Sequence, residues 1–468
     1  MRTWKKTKER EERYRKKLRA LDVGVVRGKK AGEDWLPNFG GVWGTGPRRE
    51  TREAFRERMK ERQVGPESTV SDLQRLVQSG GQSMNEEEKR RVVEKSKEAV
   101  LKKIQLRMKS GLGVCWGACV AWSVLCSGMQ IGPYQLDGNL VLAPMAGVTD
   151  AAFRVICLSH GAAYAVGEMA ASGSHLLHTE MTRRRYACDP RERFPVVQIL
   201  GADPAEMANA AALAQDCGAS MVDVNFGCPA RVVCGKACGS AVMRDPQLAG
   251  DILRAVASAV TIPVSVKMRT GWDEDTKTAV EIAKTAQDAG FCLVTVHGRT
   301  RAQRFTGTVN RADIAEVVSA VQIPVIANGD VTTPAEALAM MRETQAAGVM
   351  IGRGACGNPW LFSRAQALID GKPDPGAPQA QDVCKTIQAH LSALFAGENL
   401  EEPGRELALV KTFRKHLRHY LEGFCLHDEA LGAKLGRMLR LETQEALSGA
   451  VTEFFERVPA TAHRVDEP

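Results

Sequence analysis

The sequence predicts an α/β protein built on a (β/α)8 TIM barrel, with a small helical domain after it and a charged extension before it. Between about residues 139 and 362, eight short apolar runs rich in Val, Ile and Ala alternate with helix-like stretches. Most of these runs are apolar throughout, as parallel strands buried on both faces are. Eight strand–helix units over about 220 residues fit a closed barrel, with a doubly wound sheet as the alternative.

Each predicted strand ends in Gly or a polar residue, and most are followed by a helical segment such as DPAEMANAAALAQDCG. In chain order the strands are NLVLAPMAG, AAYAVGEM, PVVQILG, MVDVNFG, PVSVKMRT, CLVTVHGR, PVIANGD and AGVMIGRG. Later segments such as QDVCKTIQAHLSALF carry apolar residues at helical spacing instead. We therefore expect a basic, partly disordered extension with helical segments over 1–132, the catalytic barrel over 133–362 and a helical domain over 363–468.

Composition limits the class of protein. At 468 residues, with 44% hydrophobic and 25% charged residues, the chain resembles neither a disordered nor a collagen-like protein. Its 13 cysteines form no C-x-x-C pair and no finger-like Cys/His spacing, which argues against a disulfide scaffold and against a metal site. We expect a reducing compartment and no bound metal.

The basic charge lies at the N-terminus. The net charge is +8, but residues 1–60 hold 19 Lys/Arg against nine Asp/Glu, so the rest of the chain sums to −2. Such an arm fits contact with a polyanion or a solvated tail, and the sequence leaves both open. Acidic residues among the first twenty are atypical of a transit peptide. We expect a cytoplasmic protein, with an organellar location left open.

Residues 111–129, GLGVCWGACVAWSVLCSGM, carry no charge and are long enough for one membrane span. Gly, Ala, Ser and Cys dilute the few Val and Leu residues, although Arg107 and Lys109 would suit a membrane-proximal end. The composition therefore favours a buried or irregular segment over a membrane helix.

Polar residues gather at the ends of the predicted strands, where barrel enzymes place their active sites. A single polar tip would indicate little, whereas polar tips on six apolar strands indicate a functional site. These residues are Gln198, Asn225, Cys228, Lys267, Arg269, His297, Arg299, Asn328, Gly329, Asp330, Gly352 and Arg353.

The last two loops, ANGD and IGRGACG, predict a phosphate-bearing cofactor. Glycine lets backbone N–H groups approach an anion, and Arg353 adds a charge-assisted partner. Gly352 to Gly357 also spell G-x-G-x-x-G, but this motif follows the last strand instead of the first. A dinucleotide-binding turn is therefore disfavoured.

A flavin fits the remaining residues of the predicted site. The Lys267 cation would stabilise the negative charge of a reduced flavin. Gln198 and His297 could hydrogen-bond to the ring edges. The backbone of three neighbouring residues could lie against the ring: Pro144, Met145 and Ala146.

Taken together, these motifs resemble the tRNA-dihydrouridine synthases, and most closely the bacterial B-type branch. They are APMAGVTDAAFR, VVQILGADP, VDVNFGCPA, GSAVMRDP, VKMRTGWDE, VHGRTR, PVIANGD and MIGRGACGNPW. The resemblance covers about residues 134–460, in order and in spacing, and leaves residues 1–130 unexplained.

The resemblance implies an FMN-dependent barrel that reduces the C5=C6 bond of selected uridines in tRNA, with electrons from NADPH or, less often, NADH. Cys228 of N-x-G-C-P matches the family's proton donor, and Asn225 matches a residue that lines the uracil pocket. A small buried hydrophobe is the alternative role for Cys228. The implied FMN contacts are Pro144, Met145, Ala146, Gln198, Lys267, His297, Asn328, Gly329, Asp330, Gly352 and Arg353.

Binding of tRNA needs cations placed to meet phosphate groups. We expect them at the tips of the fifth and sixth strands and in the run KTFRKHLRHY, which resembles part of the family's tRNA-binding helical domain. An ordinary solvated helix face is the alternative for that run. No stable protein partner is inferred. The expected substrate contacts besides Asn225 are Arg269, Arg299, Arg301, Arg304, Lys411, Arg414, Lys415, His416, Arg418 and His419.

Two other functions stay open at this point. A flavin barrel acting on a small pyrimidine-like molecule would share the cofactor loops but would not need a basic helical domain. An RNA-binding protein with an inactive barrel would rely on the N-terminal arm, and the presence of Cys228 and Lys267 argues against it.

Overall fold

A computed structural model describes residues 128–173, 179–426, 428–459 and 462–463. The expectations for the basic extension, and for all but the last two residues of the uncharged stretch 111–129, fall outside these residues. In the described part of the chain, no helix has the length and apolar composition that a membrane span requires. The ten cysteines there are all free thiols.

Parallel strands form a closed ring, so the predicted (β/α)8 barrel is confirmed. They are β3 (Leu140–Leu142), β4 (Tyr164–Ala165), β5 (Ala170–Ala171), β6 (Val196–Leu200), β7 (Met221–Phe226), β8 (Val264–Arg269), β9 (Leu293–His297), β10 (Val325–Asn328) and β11 (Gly348–Ile351). Their order is β4-β3-β11-β10-β9-β8-β7-β6-β5. The predicted second strand, AAYAVGEM, contains β4 alone, and the separate two-residue strand β5 follows it. A single parallel bridge, Val166 to Val196, joins the β4 end of the sheet to β6 and closes the ring.

Helices follow the strands as the sequence rhythm predicts. Those of the barrel are α1 (Ala151–Ser159), α2 (Glu180–Tyr186), α3 (Pro204–Asp216), α4 (Arg231–Cys234), α5 (Pro246–Ala259), α6 (Ala279–Asp288), α7 (Arg311–Ala320), α8 (Pro334–Thr344) and α9 (Leu361–Ile369). Three of them begin with a Pro that follows a capping side chain. Asp203, Asp245 and Thr333 each accept a hydrogen bond from a first-turn N–H. These N-caps fix the residue at which each helix begins.

Alternate residues of each strand face opposite sides of the barrel wall. In β7, Val222, Val224 and Phe226 belong to the core between strands and helices, whereas Asp223 and Asn225 hydrogen-bond to neighbouring strands inside the ring. The interior is therefore apolar at the N-terminal ends of the strands and polar at their C-terminal ends.

A short antiparallel hairpin closes the N-terminal end of the barrel. Its strands are β1 (Met129–Ile131) and β2 (Tyr134–Leu136). Met129, Ile131 and Leu136 are buried in one cluster with interior residues of the barrel strands. No sequence pattern predicted this hairpin, and the expected boundary at residue 132 falls in its turn.

Four further helices form a bundle with its own core. They are α10 (Ala380–Phe395), α11 (Arg405–Cys425), α12 (Glu429–Met438) and α13 (Gln444–Glu456). Apolar residues of all four helices share one buried cluster, as the helical spacing predicts. The predicted boundary at residue 362 falls inside α9, whose buried Leu361, Phe362 and Ala365 belong to the barrel core.

The bundle packs directly on the barrel. The Phe153 ring of α1 lies 4.8 Å from the ring of His416 and 5.6 Å from that of His390. Gly357, in the last barrel loop, has φ +66°, and a Cβ there would lie 2.3 Å from the backbone of His419 on α11. Only glycine permits this approach, because a side chain would displace the helix.

We expect Gly357→Ala to destabilise the protein more than Gly371→Ala. Gly371 has a similar φ of +73°, but no atom lies within 4 Å of the point that its Cβ would occupy, so its substitution costs only the backbone strain of about 1–2 kcal/mol. The steric clash should add roughly 2 kcal/mol or more at Gly357. Urea unfolding of both variants measures the difference, and equal losses would contradict the close packing of α11.

Candidate active site

A cavity of about 1360 Å³ lies at the C-terminal ends of the barrel strands. Ordinary small-molecule pockets measure about 300–1,000 Å³, so this one has room for more than one ring system. Its walls come from the ends of β3, β6, β7, β8, β9, β10 and β11 and from the loops that follow them.

The parallel register arranges the polar groups in and beneath the cavity in rows across adjacent strands. A residue on one strand lies beside its Cα partner on the next, so each row runs around the inside of the ring. The three rows are Gln198–Asp223–Ser265, Asn225–Lys267–Thr295 and Arg269–His297–Asn328.

Cys228 is held at the cavity wall by the loop after β7. Its backbone N–H donates to Asn225 Oδ1 at 2.9 Å, and its carbonyl accepts from Ser240 Oγ at 2.9 Å. Burial raises the pKa of the Cys228 thiol above its usual range, and the nearby cations Arg269 and Lys267 offset only part of this effect. The sulfur is therefore a protonated thiol at neutral pH.

Lys267 is a half-buried cation that faces the same cavity. Its amine donates to Asn328 Oδ1 at 3.0 Å, and Asn328 Nδ2 donates in turn to the carbonyl of Met350 at 2.8 Å. Burial and the neighbouring Arg269 lower the pKa of Lys267 to about 8. The amine thus keeps most of its charge at pH 7.

His297 is a neutral side chain in this cavity. Burial lowers its pKa well below the usual range, and the surrounding cations Lys267, Arg269, Arg299 and Arg353 lower it further. The imidazole can therefore both donate and accept a hydrogen bond at neutral pH.

The loop after β10 is shaped by close packing. A Cβ on Gly329, at φ +129°, would lie 2.4 Å from the Val309 side chain and 3.0 Å from the His297 ring. Asp330 follows at φ +46°, and its carboxylate forms an ion pair with Arg299 at 2.5 Å. Arg353 reaches the same carboxylate at 3.7 Å, with 68% of its side chain exposed.

Comparison with known proteins places this chain in a family. Residues 141–451, about two thirds of the chain, match the family described as dihydrouridine synthase (Dus). The tRNA-dihydrouridine synthase B of Pseudomonas syringae pv. tomato is 43% identical over 71% of this chain and 95% of its own length. That of Vibrio cholerae is 40% identical over 70% of this chain and 99% of its own length.

This chain belongs to the dihydrouridine synthase family. The resemblance recognised in the sequence is thereby confirmed. Residues 2–62 separately match the family described as coiled coil protein 84, and they lie outside the described residues. Among solved structures, a 2-naphthoyl-CoA reductase complex is 12% identical over 54% of this chain and 53% of its own, with a TM-score of 0.42, which is too low to support a conclusion.

In this dihydrouridine synthase, seven of the expected site residues lie outside the cavity wall. The Arg301 guanidinium stacks on Trp272 at 4.3 Å. The other six lie on α11, where Lys411, Arg418 and His419 are exposed, Lys415 is half-buried and His416 is buried. Arg414 donates to the carbonyl of Leu441 at 2.8 Å. A Cβ on Gly147, in the loop after β3, would lie 3.9 Å from Lys415 Nζ. Lys415 therefore reaches the rim of the cavity.

The expectation that His416 contacts tRNA is wrong. Its side chain is 1% exposed and packs against Phe153 and His390 between the bundle and the barrel. The helical spacing explains this, because the same face of α11 carries the buried Phe413 and Tyr420.

Arg269 and Arg299 line the cavity, but their guanidinium groups are engaged with the protein. Arg269 donates to the carbonyls of Gly227, Thr300 and Arg304, and so joins the loops after β7 and β9. Arg299 donates to the carbonyl of Thr306 and to the Asp330 carboxylate. Both arginines organise the loops around the cavity.

Two cavity features escaped the sequence analysis. Phe305 is 56% exposed at the cavity wall. The guanidinium carbons of Arg269 and Arg353 lie over its ring, 5.4 and 5.5 Å from the ring centroid. Asp223 lies beneath the cavity and is 2% exposed. The period of two in β7 was the available signal for Asp223, since it precedes Asn225 by two residues on the same face.

We expect alkylation of Cys228 by iodoacetamide to accelerate with pH throughout the range from pH 7 to pH 9. Only the thiolate reacts, and its fraction grows about tenfold per pH unit below the pKa. Quantifying the labelled peptide by mass spectrometry measures the rate, with glutathione as the reference thiol. A rate that levels off below pH 9 would mean that the cations outweigh burial.

Proposed function

We propose that this chain is a tRNA-dihydrouridine synthase that reduces the C5=C6 bond of uridines in tRNA, using FMN and electrons from NADPH or NADH. One observation carries the proposal: a protonated thiol, Cys228, lines the same cavity as the half-buried cation Lys267 and the glycine-rich loops. Membership of the family and the names of its 40–43% identical relatives support the choice of tRNA as substrate.

The residues of the cavity fit a phosphate-bearing flavin. Lys267 uses one N–H for Asn328 and has further donors for an electron-rich ring. A Cβ on Gly352 would meet only Ala143 and Met145, each at 3.7 Å, so the backbone there can be approached by an anion. The exposed guanidinium of Arg353 can pair with a phosphate.

Within this proposal, FMN once reduced by NADPH or NADH would supply the hydride for C6 of the uracil ring. The proton for C5 comes from Cys228 Sγ, and the thiolate recovers a proton from solvent. A raised thiol pKa suits this role, because the acid must hold its proton until carbon accepts it. Asn225 fixes the Cys228 backbone, and the large cavity lets a base lie beside the cofactor.

The tRNA backbone would meet cations around the cavity. Lys415 lies at its rim, Lys411 is exposed one turn earlier on α11, and Arg418 is exposed but paired with Glu422 at 3.1 Å. Because Lys415 reaches the loop after β3, a phosphate bound there would lie near the cavity. We propose Lys411, Lys415 and Arg418 as the phosphate contacts of the bundle.

Cys228→Ala should retain FMN and lose uridine reduction by about 10²–10⁴-fold, the usual contribution of a general acid. The matched control is Cys238→Ala, in the same loop but outside the cavity wall. Flavin absorbance and mass spectrometry of tRNA nucleosides give the two readouts. Full turnover by Cys228→Ala would remove this residue from the role.

Lys415→Ala should weaken tRNA binding and lower the salt slope of log K by about 1, since one phosphate contact is lost. Flavin absorbance should not change. Lys385→Ala, on α10 beside Asp382, removes the same charge elsewhere on the bundle and serves as control. Equal salt slopes in the two variants would rule out a phosphate contact at Lys415.

A further inference from the structure

A continuous chain of hydrogen bonds connects the Cys228 loop to Asp223 in the barrel interior. Ser265 Oγ donates to Asp223 Oδ1 at 2.6 Å, and Gln198 Nε2 donates to Asp223 Oδ2 at 2.7 Å. Asn225 Nδ2 donates to Gln198 Oε1 at 2.8 Å. The backbone N–H groups of Gly227 and Cys228 then donate to Asn225 Oδ1 at 3.1 and 2.9 Å.

The two amides in this chain, Gln198 and Asn225, could each point either way by shape alone, because an amide has a donor and an acceptor of equal size. The ends of the chain remove this freedom. An ionised carboxylate only accepts, and a backbone N–H only donates. With Asp223 at one end and the loop at the other, only one orientation of both amides satisfies every group.

Burial makes this orientation costly to reverse. Gln198 is 1% exposed, Asp223 2% and Asn225 8%, so a misdirected amide would leave a buried donor without a partner. Burial raises the pKa of Asp223 to about 6, although the bonds from Ser265 and Gln198 and the nearby Lys267 act against it. The carboxylate therefore stays mainly ionised at neutral pH and accepts both bonds.

We propose that Asp223 is a positioning residue: its acceptor oxygen toward Gln198 sets the orientation of Gln198 and Asn225 and thereby holds the Cys228 loop in place. The role requires a hydrogen-bond acceptor at this position. It does not require a negative charge. The inference rests on the proposed function only for its effect on turnover, since the geometry of the loop exists without substrate.

Two side chains of nearly the same shape as Asp separate these requirements. In Asp223→Asn, the new amide can donate to Ser265 Oγ and keep its oxygen toward Gln198. In Asp223→Leu, no acceptor remains, so Gln198 Nε2 loses its partner. We expect the Asn variant to behave like the parent protein and the Leu variant to release the loop.

The first readout is alkylation of Cys228 at pH 8 in the purified full-length protein. A released thiol is better solvated, and a pKa lower by one unit gives about tenfold more thiolate. We expect Asp223→Leu to react about tenfold faster and Asp223→Asn within about twofold of the parent. Equal rates in all three proteins would overturn the positioning role, and a fast Asn variant would assign the effect to charge instead.

The second readout is uridine reduction at saturating tRNA. We expect kcat of Asp223→Leu to fall about tenfold or more, with KM for tRNA unchanged, because the phosphate contacts on α11 are not altered. A parallel rise in KM would contradict a role confined to the Cys228 loop. If the parent protein itself reduces no uridine, the proposed function fails, while the alkylation rates still decide the positioning role.

A second set of variants tests the same role if Asp223→Leu does not fold. In Gln198→Glu, two carboxylates face each other and the donor to Asp223 is lost. In the double variant Asp223→Asn with Gln198→Glu, the net charge is that of the parent, a donor–acceptor pair is restored and Asn225 keeps its acceptor. We expect fast alkylation in Gln198→Glu and the parent rate in the double variant. Failure of the second substitution to restore the rate would overturn the proposal.

Discussion

The parallel register of β6 to β10 is the constraint on which the site depends. Because each strand is paired in fixed register with the next, the residues of one row face one another inside the ring. A shift of one residue in any strand would turn its polar side chains toward the helices and its valines into the cavity. The amide chain, the Lys267–Asn328 bond and the Arg269 contacts all follow from this one alignment.

The barrel was predictable because buried parallel strands have continuous apolar sequences. The polar residues at their ends indicated the position of the cavity. The extra strand β5 was not, since Ala170 and Ala171 follow the predicted run AAYAVGEM and carry no strand pattern of their own. Nor does the local sequence reveal that Arg269 donates hydrogen bonds to backbone carbonyls 31 and 35 residues away. Basic residues of the run KTFRKHLRHY were assigned to tRNA by residue type and family resemblance, and His416 shows that the face of the helix decides exposure. The functional roles of the other site residues stay predictions.

The cavity combines excess positive charge with an uncharged thiol. Six cationic side chains and two carboxylates line it: Arg231, Lys267, Arg269, Arg299, Arg304 and Arg353 with Asp330 and Glu336. Such a field favours anionic ligands, and it adds to burial in lowering the pKa of His297. It would also favour a thiolate, yet burial is the larger influence on Cys228. The site can thus attract phosphates while the Cys228 thiol stays protonated, because burial raises the pKa of the thiol more than the nearby cations lower it.

The ring has longer strand ladders on one side than on the other. Strands β6 to β9 share ladders of four or five residue pairs. In contrast, β4 pairs with β3 and β5 pairs with β6 through two residue pairs each, and the single bridge Val166 to Val196 closes the seam between β4 and β6. Amide exchange by local opening should accordingly be fastest along this seam. Met169, which lines the cavity, lies between β4 and β5. Local opening at this seam would leave intact the longer ladders of β7 and β8, which hold the Cys228 loop and Lys267.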